Sequence, residues 1–484
     1  MIASKNKLAY VVIAIFFALH CMMIFLPSIN LEFAFVDASR YFQTGNRQLI
    51  EQYFQVQANT LGLPFISWIT SNFLPSVDML VLIRLLSTFG IIFLGAGILN
   101  FCEFLKREDS TYLLVLILLN PLAWVYAARA TADFLPMALG LFAISLVLTK
   151  NLNIFYFIGA GILLGIAAAL KYHEIFLILI LIPCLWNQQA HSLQLKPFFI
   201  VGFIASTILG LFLIVVYNNF GFWVAPPIYQ SIHGLNIGNT INNFFLYIGF
   251  LILLCAPASL IILNLKSFFL RYKYHLIIGT GLVFIVGFLG FQDTGELNLG
   301  PLERFTNKNI MAGVFLVLSG FFLLPFMEKS KTRSENIFNA LLAIAILIII
   351  AAFSLTRPSQ RYLLVVMPFF FFLIPHKVIS NKKIFIISAL TYVLINIYIA
   401  YSQWCTGTSA IRMVEALQGA GLMDASMPGV IQGHVGNKFK TDLQTPRKYI
   451  VILGDDPNAI IKVESGLSFA KKTLSLIEVN SSSK

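Results

Sequence analysis

The chain has 484 residues, of which 58% are hydrophobic and 11% are charged, and its formal net charge is +12. A mean hydropathy of +0.84 excludes a soluble protein that hides its apolar residues in one core, and indicates a polytopic membrane protein. The basic excess is typical of membrane topology signals and of attraction to anionic headgroups. Without a basic and aromatic patch, it does not indicate nucleic-acid binding.

Apolar stretches long enough to cross a bilayer, about 17 to 25 residues each, recur about thirteen times before residue 401. Stretches such as 341–352 are apolar on every face, which predicts helices and not the alternating strands of a membrane barrel. The predicted fold class is therefore an all-α polytopic membrane protein. The first stretch, 8–29, follows basic residues but lacks a cleavage pattern, so we predict a retained signal anchor.

Lys and Arg concentrate in every second loop, starting with Lys5 and Lys7. By the positive-inside rule this predicts a cytoplasmic N-terminus and a C-terminal domain outside the membrane. Five cysteines are scattered without a CxxC or a disulfide pattern. We expect a multi-pass protein of the inner (plasma) membrane of a bacterial cell envelope.

Residues 1–401 are predicted to form the transmembrane domain, in which the first outer loop, 30–62, makes short interfacial helices. Residues 402–484 contain no apolar stretch long enough to cross a membrane. They are predicted to form a small extracytoplasmic α/β domain. The elements predicted in that domain are helices at 409–419 and 457–471 and strands at 449–453 and 474–479.

Two acids stand at predicted outer ends of spans: Asp37 in the first loop and Asp133 in a later hairpin. A partly buried carboxylate at the membrane surface could serve as a general base, because burial raises its pKa towards neutrality. For Asp37 the alternatives are a solvated loop acid or a helix cap. Asp133 could orient an acceptor, help Asp37 bind a divalent ion, or cap the next helix beside Thr131.

Cations retained in predicted outer loops are candidates for contacting a phosphate, since guanidinium binds phosphate oxygens bidentately. These candidates are Arg361, Lys171, Arg129 and Arg304, and Tyr362 beside Arg361 is a further substrate-binding candidate. Arg361 and Tyr362 could instead anchor to lipid headgroups. Lys171 could be a polar hinge, Arg129 could pair with Asp133 or with lipid, and Arg304 could be an exposed loop cation.

Two further features concern metal binding and a charged residue within an apolar stretch. His173-Glu174 does not make a zinc motif and no metal-ligand spacing occurs elsewhere, so we predict no metal site, with a divalent ion as the alternative. Arg84 lies inside the second apolar stretch, where a charge is costly unless it faces the helix bundle or a cavity. It could hold helices together or line a lipid path.

Four motifs in order carry a family resemblance: Asp37, Ala-Arg-Ala-Thr-Ala-Asp133, Leu-Lys171-Tyr, and Arg361-Tyr-Leu-Leu-Val-Val-Met-Pro368. Together with the topology they resemble the GT-C superfamily of polytopic glycosyltransferases, which includes lipid A aminoarabinose transferases and protein O-mannosyltransferases. The resemblance implies a polyprenyl-phosphate sugar donor, a catalytic first-loop acid and an inverting transfer to a lipid, glycan or protein. The chain has one acid where many members have an adjacent pair, which argues against a metal site.

Two other functional classes of membrane protein are alternatives. A transporter or lipid flippase would be expected to show duplicated halves, and the sequence shows no such symmetry. A polysaccharide polymerase or ligase would usually place its polar residues in one large central outer loop. The glycosyltransferase prediction requires Asp37, Asp133, Lys171 and Arg361 to converge around one pocket at the headgroup level.

Overall fold

A computed structural model describes most of the N-terminal half of the chain and several later segments. The described residues are 7–26, 30–56, 60–148, 153–187, 192–224, 226, 238, 240–241, 243–244, 247–248, 251, 254–255, 333–356, 359–374, 382–422, 449–453, 455–467 and 472–478. They form a mostly helical structure with a small antiparallel sheet near the C-terminus.

The described α-helices are α1 (Lys7–Met23), α2 (Asn30–Thr44), α3 (Arg47–Val56), α4 (Gly62–Phe73), α5 (Met79–Phe104), α6 (Ser110–Leu119), α7 (Pro121–Ala127), α8 (Phe134–Val147), α9 (Ile154–Leu170), α10 (Leu181–Leu185), α11 (Leu195–Phe220), α12 (Arg333–Ser354), α13 (Met367–Phe372) and α14 (Lys382–Gly419). Two 3-10 helices occupy Tyr172–Ile180 and Gln360–Leu364. The strands are β1 (Trp186–Asn187), β2 (Ser192–Leu193), β3 (Tyr449–Leu453), β4 (Ile461–Ser465) and β5 (Lys472–Glu478).

Several described helices are long and apolar enough to cross a membrane. Four meet that test on their own: α5, α11, and the Ile337–Ser354 and Phe385–Gly419 parts of α12 and α14. The pair α6 and α7 makes a fifth candidate, bent by 66°. These helices confirm the prediction of a multi-pass helical membrane protein; the total of about thirteen spans and the orientation stay predictions.

The bend between α6 and α7 follows from two adjacent residues. Pro121 begins α7, where its missing N–H costs no hydrogen bond. The Asn120 side chain accepts a hydrogen bond from the Leu122 backbone N–H at 3.1 Å and so caps α7. Asn120 also donates to the Leu254 carbonyl at 3.0 Å. The chain therefore changes direction inside an apolar segment without leaving these polar groups unsatisfied.

Small residues bring the helices together. On α9, Gly161 and Gly165 face Ile204 and Ile208 of α11, whose side chains would lie 2.8 Å from a methyl group at either glycine. Close backbone approach of this kind is common between membrane helices. It packs α9 against α11 and leaves the end of α9, at Leu170, directed towards the polar groups described below.

The helix break that the polar-hinge alternative predicts at Lys171 is present in the structure. α9 ends at Leu170, Lys171 has an extended backbone, and the chain continues as a 3-10 helix over Tyr172–Ile180 before α10. The short helices predicted for the first outer loop are also present as α2 and α3. Polar residues interrupt the apolar sequence both at the helix break and in the first loop, which is why the sequence predicts these two features.

The C-terminal sheet has the order β3-β5-β4, with both pairs antiparallel. It packs on the last turns of α14 through a cluster of buried apolar residues, namely Ala410, Met413, Val414, Leu417, Val451, Leu474 and Leu476. The strands predicted at 449–453 and 474–479 are confirmed as β3 and β5. α14 runs without interruption through residue 401, where the boundary of the C-terminal domain was predicted.

The helix predicted at 457–471 is wrong, because this segment contains β4. Lys462 is exposed, whereas Ile461 and Val463 on either side are half-buried and Ser465 is buried. Apart from Glu464, which is half-buried, this alternation has the period of two of a strand with one buried face. Five residues are too few to distinguish that period from a helical one in a longer window.

The contact between α4 and α9 can be tested at Gly62. A methyl group at Gly62 would lie 2.3 Å from the Ala169 carbonyl oxygen, which is backbone and cannot move aside alone. We expect Gly62→Ala to lower the free energy of unfolding in detergent by about 1 to 3 kcal/mol through overpacking. Gly210→Ala, which has open space around it, is the matched control. Equal stability of the two variants would contradict this packing.

Candidate functional site

The centre of the candidate site is a buried ion pair. Lys171 Nζ donates to Asp133 Oδ1 at 2.6 Å, and the side chains are 1% and 0% exposed. Asp133 stands at the N-cap position of α8, yet its side chain accepts no capping hydrogen bond. The predicted alternative of a helix cap is therefore wrong. The carboxylate instead pairs with Lys171, which directly follows the last residue of α9.

The charges around Asp133 keep it ionised. Burial by itself raises the pKa of the Asp133 carboxyl, but the positive charges of Lys171 and Arg361 outweigh burial and bring the pKa below its usual value. The pair is therefore a carboxylate and an ammonium group in an interior from which water is excluded. Such a pair is sensitive to loss of either partner.

The second 3-10 helix brings Arg361 and Tyr362 to this pair. Lys171 Nζ lies 5.3 Å from the centre of the Tyr362 ring, within the range of a cation–π contact. The His173 ring lies 4.5 Å from the Tyr362 ring, and Arg361 Cζ lies 5.9 Å from it. The structure thus brings together Asp133, Lys171, Arg361 and Tyr362, which the sequence selected from distant segments.

Two tyrosines that the sequence analysis did not select border the same cluster. Tyr126, in α7, is within electrostatic range of Asp133, Arg129 and Arg361. The Tyr247 hydroxyl accepts a hydrogen bond from the Ser359 backbone N–H at 2.8 Å, just before the 3-10 helix that carries Arg361. Both tyrosines lie in apolar segments, where an isolated Tyr carries no signal of function.

Arg129 lies at the edge of the cluster. Its guanidinium carbon is 5.7 Å from the centre of the Tyr126 ring, and its charge also acts on Glu32. Within the described part of the chain, Asp133 pairs with Lys171 and not with Arg129. The predicted pairing of Arg129 with Asp133 is therefore wrong.

Asp37 lies in the middle of α2, so the predicted alternative of a helix cap is wrong for it as well. Its side chain is 22% exposed, and Arg40 Nη1 lies 3.4 Å from its Oδ1. Burial raises the pKa of the Asp37 carboxyl, while the Arg40 charge lowers it by less, so the net direction is upward. This is the environment of a carboxylate that could accept a proton near neutral pH.

A second buried ion pair attaches α2 to α5, and its carboxylate also contacts the hairpin that carries Asp133. Arg84 Nε and Nη2 donate to the two oxygens of Glu32 at 2.9 and 2.8 Å. Arg84 also donates to the carbonyls of Ile24 and Leu26. Glu32 Oε1 accepts a third hydrogen bond, from the Ala130 backbone N–H at 2.8 Å. Of the two roles predicted for Arg84, the contacts show the first, holding segments together.

The Arg84–Glu32 pair also holds the helix that carries Asp37, because Glu32 and Asp37 both lie in α2. Burial raises the pKa of the Glu32 carboxyl, but Arg84 and Arg129 outweigh it and leave the pKa lowered. Asp37 follows Glu32 by five residues, about 7.5 Å further along the helix axis. α2 is thus fastened beside the Asp133 hairpin, whereas among the described residues the charged partner of Asp37 is Arg40, not a member of the buried cluster.

Among the described residues, no group of three or more His, Cys, Asp or Glu side chains is placed to hold a metal ion. The predicted candidate Arg304 lies outside the described residues.

Comparison with family models, characterised proteins and solved structures finds no match. The resemblance to GT-C enzymes therefore stays a prediction from the four sequence motifs. What the structure adds is the geometry of the cluster: one carboxylate among cations and aromatic rings, and a second acid, Asp37, on a neighbouring helix that is partly open to solvent.

Proposed function

We propose that the protein is an integral-membrane glycosyltransferase that moves a sugar from a polyprenyl-phosphate donor to a lipid, glycan or protein acceptor. In this proposal the chain has a GT-C-like fold of about thirteen spans. Its N-terminus lies in the cytoplasm, and transfer occurs on the outer face of the inner membrane, where its C-terminal domain also lies.

The observation that supports the proposal best is the meeting of Lys171 and Arg361 around Asp133. Two cations and one carboxylate, with Arg129 at the edge, leave the cluster with an excess of positive charge. Positive charge fixed in an interior of low dielectric favours an anionic ligand, and the departing lipid phosphate is such a ligand. The tyrosines beside these cations offer flat apolar surface to a sugar ring.

The proposed reaction uses Asp37 as the base. The Asp37 carboxylate takes the proton of the acceptor hydroxyl, the hydroxyl oxygen forms a bond to the anomeric carbon, and the bond from that carbon to the phosphate oxygen breaks. The polyprenyl phosphate leaves with the electron pair, and Arg361 and Arg129 stabilise its charge. Attack from the side opposite the phosphate inverts the anomeric centre. Lys171, held by Asp133, supplies a third positive charge.

Asp37→Asn is expected to lower the rate of transfer by about 100-fold to 10,000-fold, because the amide cannot accept the proton. The assay uses purified protein, a polyprenyl-phosphate sugar and an acceptor, with release of polyprenyl phosphate as the readout. Glu51→Gln, at an exposed acid on the next helix, is the matched control and should keep the wild-type rate. EDTA added to the same assay tests the alternative of a divalent ion.

Two outcomes would reject the proposal. Full activity of Asp37→Asn at equal folded yield would remove Asp37 as the base. Movement of the intact lipid-linked sugar across a vesicle membrane, with no cleavage by the wild type, would favour the flippase alternative.

The rate is also expected to depend on pH through Asp37. Because burial raises the pKa of Asp37, the rate should fall on acidification at a higher pH than for an exposed aspartate. Arg40→Gln removes a charge that lowers this pKa, so the fall should begin at a still higher pH. Arg47→Gln, at an exposed site, should leave the profile unchanged. A profile shifted to lower pH in Arg40→Gln would contradict the assignment.

A further inference from the structure

Glu174 is a buried acid for which the proposed reaction has no role. Its side chain is 0% exposed, and neither carboxyl oxygen has a hydrogen-bond partner among the described residues. The carboxyl lies against α8, where its Oε2 would be 3.4 Å from a methyl group at Gly140. An ionised carboxylate without a donor in a dry interior costs several kcal/mol, whereas a protonated carboxyl costs far less.

The secondary structure places Glu174 beside Lys171. The Glu174 backbone N–H donates to the Lys171 carbonyl at 3.0 Å, which closes the first turn of the 3-10 helix. Lys171 is the N-cap residue of this helix, three residues before Glu174, and its charge acts on the Glu174 carboxyl. The Lys171 ammonium therefore has two carboxyl groups in its surroundings: Asp133, which it contacts, and Glu174, which it does not.

Among the described residues, few charges act on the Glu174 carboxyl. Those that act on its carboxyl are the positive charge of Lys171 and the negative charge of Asp133. The elements packed against this 3-10 helix are α8, α9, α10, α11 and α12. Their titratable and charged residues are Tyr156 in α9, Cys184 in α10, Lys196 and Tyr217 in α11, and Arg333 and Glu335 at the start of α12. On the helix itself the neighbouring titratable residues are Tyr172 and His173.

We propose that Glu174 is an internal proton-binding site: its carboxyl holds a proton while Lys171 pairs with Asp133, and it is the alternative anionic partner of Lys171. Of the two charges that act on Glu174, the Lys171 ammonium is balanced by the Asp133 carboxylate it contacts, so the Glu174 carboxyl carries a proton. Removing the negative charge from Asp133 should cause Glu174 to release its proton, because Lys171 then stabilises the Glu174 carboxylate.

Infrared spectroscopy of the full-length protein in detergent tests this proposal, since a protonated carboxyl absorbs apart from a carboxylate. At pH 7 the difference between wild type and Glu174→Gln should contain one protonated carboxyl band. In Asp133→Asn, that band should be absent and a carboxylate band should replace it. Glu103→Gln, at an exposed acid, is the matched control and should leave the protonated band in place.

A stability measurement separates the proposal from a purely structural role. Glu174→Gln replaces one neutral group by another of similar size, so at acidic pH, below the ordinary pKa of an exposed glutamate (about 4.3), its unfolding midpoint should match that of the wild type. As pH rises above that value towards neutrality, the wild type should lose stability relative to Glu174→Gln, because the unfolded chain releases the Glu174 proton while the folded state retains it. Absence of the protonated band in the wild type at pH 7 would overturn the proposal. A wild-type midpoint that rises with sodium concentration would instead assign the oxygens to a bound cation.

Discussion

Lys171→Met is expected to lower the free energy of unfolding by about 3 to 5 kcal/mol, because it leaves the Asp133 carboxylate buried without its partner. Water cannot take the place of the ammonium group, since the Asp133 side chain is 0% exposed. The Tyr362 ring also loses a cation that lies 5.3 Å from its centre. Denaturant unfolding in detergent, followed by tryptophan fluorescence, measures the effect.

Two further variants show whether the effect belongs to the ion pair. Lys196→Met makes the same substitution at an exposed lysine and should change stability by less than about 0.5 kcal/mol. The double variant Asp133→Leu with Lys171→Met replaces both charges by apolar side chains and should recover most of the loss. Equal stability of Lys171→Met and Lys196→Met would show that the pair contributes nothing.

Arg84→Met is expected to have an effect of similar size, about 3 to 5 kcal/mol, for a related reason. The change removes two charge-assisted hydrogen bonds to Glu32 and the donors to the Ile24 and Leu26 carbonyls. The Glu32 carboxylate would keep the Ala130 N–H as a hydrogen-bond donor but lose its buried cationic partner. Because the Arg84–Glu32 pair fastens α2 to α5, hydrogen exchange of Asn30–Thr44 should accelerate more than that of α8.

Arg84→Lys distinguishes charge from geometry. A lysine keeps the positive charge but cannot donate to both Glu32 oxygens and to two carbonyls at once. We expect it to recover less than half of the stability lost in Arg84→Met. Arg47→Met, at an exposed arginine of α3, is the control for loss of a surface guanidinium. Uniform acceleration of exchange over all helices in Arg84→Met would show that Arg84 does not specifically hold α2.

Much of the local structure follows from residue patterns. The polar residues Lys171 and Glu174 within an apolar stretch predicted the helix interruption, and the Asn120-Pro121 step marks the place where α6 and α7 bend. The error at 457–471 has the same local origin, because the five residues of β4 are a weak pattern. These features depend on neighbours in sequence, so sequence can report them.

The contacts of the site are of another kind. α8 is apolar all round, with twelve of its residues buried, so its sequence does not indicate which face meets which neighbour. Nothing near Glu32 in the sequence points to Arg84, and nothing near Asp133 points to Lys171. Each of these contacts joins residues that are far apart in the chain.

The sequence by itself determined that this protein is a helical membrane protein, where several of its helices begin and break, and which few charged residues stand out. Those properties follow from hydrophobicity and from short-range backbone preferences. Only the tertiary structure decided that Lys171 pairs with Asp133, that Arg84 holds Glu32, and that Glu174 is buried without a hydrogen-bond donor among the described residues. The physical reason is that apolar helices can pack in many arrangements, and the positions of the buried charges are set by the one arrangement that pairs them.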